Sequence, residues 1–108
     1  MAQILIHHMV EDYDKWKPTF DGHAKTRAEA GSKGYRLFRK TDNPNDILIV
    51  FEWENEAKAR EFMASEGLRD AMQDAGVISP PDVFFMEEIE ARTDFREGLD
   101  GEQLKWTA

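Results

Sequence analysis

A chain of 108 residues and 12.5 kDa suffices for one domain, and at 41% hydrophobic and 33% charged residues it has the balance of an ordinary folded protein. A net charge of −8 and a pI near 4.8 argue against nucleic acid or an anionic membrane as partner, since both call for a basic patch. With no cysteine there is no disulfide or thiolate chemistry, and with no apolar run of about 20 residues there is no membrane-spanning helix to expect.

The first element is the strand "ILIHHMV", residues 4–10. Successive strand side chains point to opposite faces, so Ile4, Ile6, His8 and Val10 share one face, and Leu5, His7 and Met9 share the other. Both faces are apolar apart from one imidazole each. If one face meets helices and the other a partner, one histidine lines an internal pocket and the other lies near an interface. The pattern leaves open which does which.

After "EDYD" a helix is expected, with Tyr13, Trp16, Phe20, Ala24 and Arg27 at helical spacing. Pro18 is awkward inside a helix, so a tight turn through residues 13–16 is expected, with Pro18 near the start of the main helix. Gly31 and Gly34 supply the stop. A strand over residues 35–40, a turn at "TDNPND" and an apolar strand over residues 47–53 form a hairpin. Asn55 caps a second helical region with Ala59, Phe62 and Met63 inward; Gly67 interrupts it and Gly76 ends it. The last strand is expected over residues 83–90.

The order strand, helix, strand, strand, helix, strand is that of a ferredoxin-like α+β fold, an antiparallel four-stranded sheet with its helices on one face. The other face is too apolar to stay wet, and a second copy of the same sheet would cover it. A homodimer joined through its sheet faces is therefore expected. Residues 1–91 make up the domain. Residues 92–108 form a polar extension carrying Phe95, Leu99, Leu104 and Trp106, which would dock on the partner or over a pocket.

Within this order, the segment "FEWENEAKAREFMASEGLRDAM" resembles the second half of the antibiotic biosynthesis monooxygenase-like family, a group of dimeric α+β barrel proteins. Trp53, Glu54 and Ser65 stand where that pattern wants them, and "HHMVEDYDKWKPTFDGHA" resembles the first half in uncharacterised members. The resemblance implies a barrel-forming dimer and, in part of the group, monooxygenation without a cofactor. Two positions depart from it. Relatives carry a helix histidine nine residues after the tryptophan, where this chain has Phe62. Haem degraders take their iron ligand nineteen residues after it, where this chain has Met72, and a lone thioether is a poor substitute for a proximal imidazole. No cofactor is expected.

The candidate catalytic residues are His7, His8 and His23, because an imidazole takes up a proton near neutral pH. The plain alternative for each is a hydrogen-bonded structural histidine. A metal site is not expected, since His7 and His8 point apart. Trp53, Tyr13, Arg27, Phe62 and Met72 are the candidate ligand contacts, with Trp53 stacking on a flat ring and an arginine meeting an acidic group. The expected function is that of a cytoplasmic small-molecule enzyme acting on an aromatic or polyketide-like substrate. The alternative is a non-catalytic ligand-binding or stress-related dimer whose pocket is filled by its own side chains.

Overall fold

The computed structural model describes residues 1–94, so the extension expected over residues 92–108 lies almost wholly outside the described residues. Four strands form one antiparallel sheet: β1 (Ala2–Met9), β2 (Ser32–Lys40), β3 (Asn43–Trp53) and β4 (Asp82–Met86), in the spatial order β2-β3-β1-β4. Each expected helix is a pair of short ones. The first crossover is α1 (Tyr13–Gly22) then α2 (Ala24–Ala30), and the second is α3 (Glu56–Met63) then α4 (Glu66–Asp74). This is the expected ferredoxin-like α+β arrangement. Among the described residues, no helix is long and apolar enough to cross a membrane.

Both central strands alternate in burial. Ile4, Ile6, His8 and Val10 of the first segment, and Ile47, Ile49, Phe51 and Trp53 of β3, are buried beneath the helices. Register places Ile4 opposite Phe51, Ile6 opposite Ile49 and His8 opposite Ile47, so the two rows form the floor of the core. Trp16 and Phe20 of α1 and Ala59 of α3 close it from above. The other sheet face has no such cover, and Phe38, Phe84 and Met86 stay 46%, 53% and 37% exposed there.

Four local expectations are corrected. Pro18 lies inside α1 rather than at its start. Its missing N–H withholds one bond from the Asp14 carbonyl. The helix forms regardless, because Asp12 caps it through the Asp14 amide at 2.9 Å, Asn45 Oδ1 accepts from the Tyr13 amide at 2.9 Å, and Trp16 and Phe20 bury its inner face. The hairpin turn is shorter than "TDNPND", with β3 already under way at Asn43. The second helical break falls before Gly67, at Ser65, whose hydroxyl donates to the Phe62 carbonyl (2.7 Å) and accepts from the Leu68 amide (3.2 Å). The last strand also stops short, at Met86, leaving Glu87 and Glu88 exposed beyond it.

Gly31 does end the first helical region, at φ +124°. A Cβ there would lie 3.2 Å from Lys58 Cδ and 3.3 Å from Trp53 Cε3, so the turn needs both the glycine backbone and the space it leaves.

Candidate functional site

Between the helices and the sheet lies a cavity of about 180 Å³. Its floor is Ile6, His8, Ile49 and Phe51 of the sheet, and α1 and α2 supply Trp16, Phe20 and Arg27. Phe62, Leu68 and Met72 close it from the second helical pair. Thr19, Thr26 and Ser65 place three hydroxyls on a wall that is otherwise mostly hydrocarbon. The helices above it each break midway, α1–α2 at His23 and α3–α4 at Ser65.

His8 is the polar centre of this floor. It is 5% exposed, and neither ring nitrogen has a hydrogen-bond partner. An edge-on contact with Trp16, at 5.9 Å between centroids, fixes the ring without using either nitrogen. Burial, with a smaller contribution from the neighbouring His7, pushes its pKa down to about 4. The imidazole is thus neutral across the physiological range, with one N–H to donate and one lone pair to accept. Leaving both unmade costs free energy that no contact within the described residues returns.

Arg27 is the second buried polar group, also 5% exposed. Its Nη1 donates to the Phe20 carbonyl at 2.6 Å, which caps the end of α1. The guanidinium carbon sits 4.0 Å from the Phe20 ring centroid and 5.5 Å from that of Tyr35. No carboxylate among the described residues forms a salt bridge with it. Burial lowers its pKa, but a guanidinium keeps its charge in a folded protein. A row of rings links the two polar groups: His8 against Trp16, Trp16 stacked on Phe20 at 4.7 Å, and Arg27 over Phe20.

His7 faces the other way. Its Nε2 donates to Asp46 Oδ1 at 2.6 Å, and its Nδ1 lies 3.3 Å from Asp82 Oδ2. Lys40 Nζ approaches the second oxygen of Asp46 at 3.4 Å. The hydrogen bond to Asp46, then that to Asp82, raises the His7 pKa above its ordinary value, and the same bond lowers that of Asp46. His7 therefore belongs to a charged cluster on the open face and has no place in the cavity.

Residues 10–74 match the family model for antibiotic biosynthesis monooxygenase. That span is more than half of the chain. The chain belongs to this family. Solved structures of similar fold include a proposed antibiotic biosynthesis monooxygenase of Bordetella bronchiseptica, 17% identical, with TM-score 0.71 over 82% of this chain and 97% of that one. A variant of SnoaB, a cofactor-independent oxygenase from Streptomyces nogalater, is 15% identical, with TM-score 0.67 over 83% of this chain and 94% of that one. No curated protein matches the chain.

For this member of the antibiotic biosynthesis monooxygenase family, the cavity gathers His8, His23, Arg27, Phe62 and Met72 from the residues singled out in the sequence. It leaves out three others. His7 is on the far face of the sheet. Tyr13 packs against Trp16 (5.8 Å) and beneath Arg39 (4.5 Å), outside the lining. Trp53 is 0% exposed and packs on Phe62 at 5.2 Å, so Phe62 rather than Trp53 meets the hollow. Trp16 and Phe20, read from the sequence as part of a helical stripe, are both core and wall. The three hydroxyls of the wall give no sequence signal, since Ser and Thr on a helix are usually solvated.

Proposed function

We propose that the cavity is an active site in which His8 acts as the general base on a small phenolic substrate that reacts directly with dioxygen. The observation that carries this reading is the buried, unpartnered imidazole on the floor of an apolar hollow. Membership of the family and the likeness in fold to a cofactor-independent oxygenase support it. His8 accepts the phenol proton; the anion then transfers electrons to dioxygen, and a hydroperoxide forms at a ring carbon bearing hydrogen. Loss of water leaves a carbonyl, so one oxygen atom ends in the quinone and the other in water. The four electrons needed all come from the substrate.

A pKa of about 4 suits this work better than it first suggests. It describes an imidazole with no anion beside it. A phenolate formed in contact with the ring favours the imidazolium and raises that pKa in the complex. Exclusion of water by Trp16, Phe20 and Met72 strengthens the pairing. In the free protein His8 stays neutral down to about pH 4, so kcat/KM is expected to hold level through pH 6.5, where an ordinary histidine would begin to fail.

The test is oxygen uptake by the full-length protein with a panel of one- and two-ring phenols and hydroquinones, read against quinone absorbance. His8→Gln, which keeps a polar side chain but cannot take a proton, is expected to lower the rate at least about 100-fold. Equal rates for both proteins, matching autoxidation without protein, would overturn the reading.

The open sheet face completes the proposal: a second copy of the chain covers Phe38, Phe84 and Met86. Sedimentation is expected to give twice 12.5 kDa, and Phe84→Lys to give the single mass. A wild-type monomer at micromolar concentration would remove the dimer.

A further inference from the structure

Arg27 is the side chain that the proposed chemistry leaves without a task. Charged groups are seldom buried without a partner of opposite sign. This chain carries 22 acidic residues, yet none of those described forms a salt bridge with Arg27, and Asp21 acts on it only at longer range. Capping the Phe20 carbonyl uses one of five N–H donors. Stacking over Phe20 offsets part of the desolvation but satisfies no hydrogen bond.

The hollow itself sets the size of a ligand. At about 180 Å³ it is a little larger than an apolar cavity of roughly 150 Å³ that takes benzene in another protein. One substituted ring matches that volume. The walls are aromatic on one side, where Trp16 and Phe20 stack on each other at 4.7 Å and both line the hollow. The two polar groups set the chemistry. His8, with one donor and one acceptor, matches a hydroxyl, and the guanidinium of Arg27 matches an anionic group.

We infer that the cavity selects a single-ring hydroxyaromatic carboxylate, with its carboxylate held by Arg27 and its hydroxyl at His8. This rests on the reading of the cavity as the active site and narrows its substrate class. Selection by Arg27 works against the field of the whole molecule. A net charge of −8 disfavours anions at long range, so any preference for an anion must come from inside the cavity.

The decisive comparison uses two probes of nearly equal shape, 4-hydroxybenzoate and the uncharged 4-hydroxybenzamide, titrated at pH 7.5 into the full-length protein. Calorimetry gives the affinities, and the NMR shift of the Trp16 indole places the ligand. The benzoate is expected to bind about tenfold to hundredfold more tightly than the amide. Arg27→Gln should remove that gap while leaving the amide unaffected, and 6-hydroxy-2-naphthoate should bind more weakly than the benzoate to the wild type. If Arg27→Gln does not fold, the wild-type pair still decides. Equal affinities with a Trp16 shift would overturn selection by Arg27 and leave the cavity a ligand site. No binding by either probe and no Trp16 shift would overturn the selection and the active-site reading together.

Discussion

His8→Leu is expected to yield a protein that is more stable than the wild type and inactive. Leucine roughly fills the space of the imidazole and leaves no polar atom behind. At pH 7.5 the variant should gain about 1 to 3 kcal/mol, the usual penalty for a buried polar group left unpaired. The gain should grow in acid. In the unfolded chain a histidine titrates near 6.5, whereas in the folded protein His8 titrates near 4. Between those values the unfolded state binds a proton that the folded state refuses, so wild-type stability falls as the pH falls. The full difference amounts to about 3 kcal/mol below pH 4, with about 2 kcal/mol of it present by pH 5.

His7 contributes with the opposite sign. Its raised pKa gives stability that is complete below the ordinary histidine range and is lost as the pH climbs through its folded value. The wild-type profile contains both, and the difference between wild type and His8→Leu isolates the one. Urea midpoints at pH 7.5, 6 and 5 provide the measurement. Parallel profiles for the two proteins would mean that His8 finds a proton partner in the folded state and is not held in reserve for a ligand.

Trp53 presents the reverse case, a residue whose loss should be structural and not functional. It is fully buried on β3, with Phe62 on one side and the space above Gly31 on the other. Trp53→Ala is expected to cost about 3 to 5 kcal/mol, enough to unfold much of a domain whose total stability is about 5 to 15 kcal/mol. Trp53→Phe should be far milder, because the indole N–H already lacks a partner and no hydrogen bond is lost with it. The phenylalanine variant should also bind ligands as the wild type does. A folded Trp53→Phe protein that has lost its ligand would restore the stacking role read from the sequence. Chemical denaturation and the benzoate titration together separate the outcomes.

Much of the fold is legible because its signals are local. Asn55 caps α3 as its position before an apolar stripe suggests, accepting from the Lys58 amide at 2.9 Å, and Gly31 and Gly76 take the positive φ that ends each helical region. The site is less legible because its decisive facts are distant pairings. Alternation along β1 says that His7 and His8 point apart, but only the placement of the helices says which one they cover. Asp46, the strongest partner of His7, is 39 residues away in a segment that reads as a turn. Arg27 stands on the helical stripe and among the candidate ligand contacts, but its burial over Phe20 depends on how α1 and α2 meet at His23. Pro18 misleads for a related reason, since burial of Trp16 and Phe20 outweighs one missing backbone bond.

The paired histidines have one more effect, on folding. Shifting β1 by a single residue against β3 would turn Leu5, His7 and Met9 towards the helices in place of Ile6, His8 and Val10. For most half-buried strands such a slip is ruled out by polarity. Here the two faces are similar, three apolar residues to one imidazole on one and two to one on the other, so hydrophobicity distinguishes poorly between alignments. For that shift the distinction passes to Asp46 and Asp82, one on each neighbouring strand, which grip the His7 imidazole from both sides and would face Ile6 instead. An ion cluster on the sheet thus serves as a registration pin against that slip, on a strand whose two greasy faces would otherwise permit it.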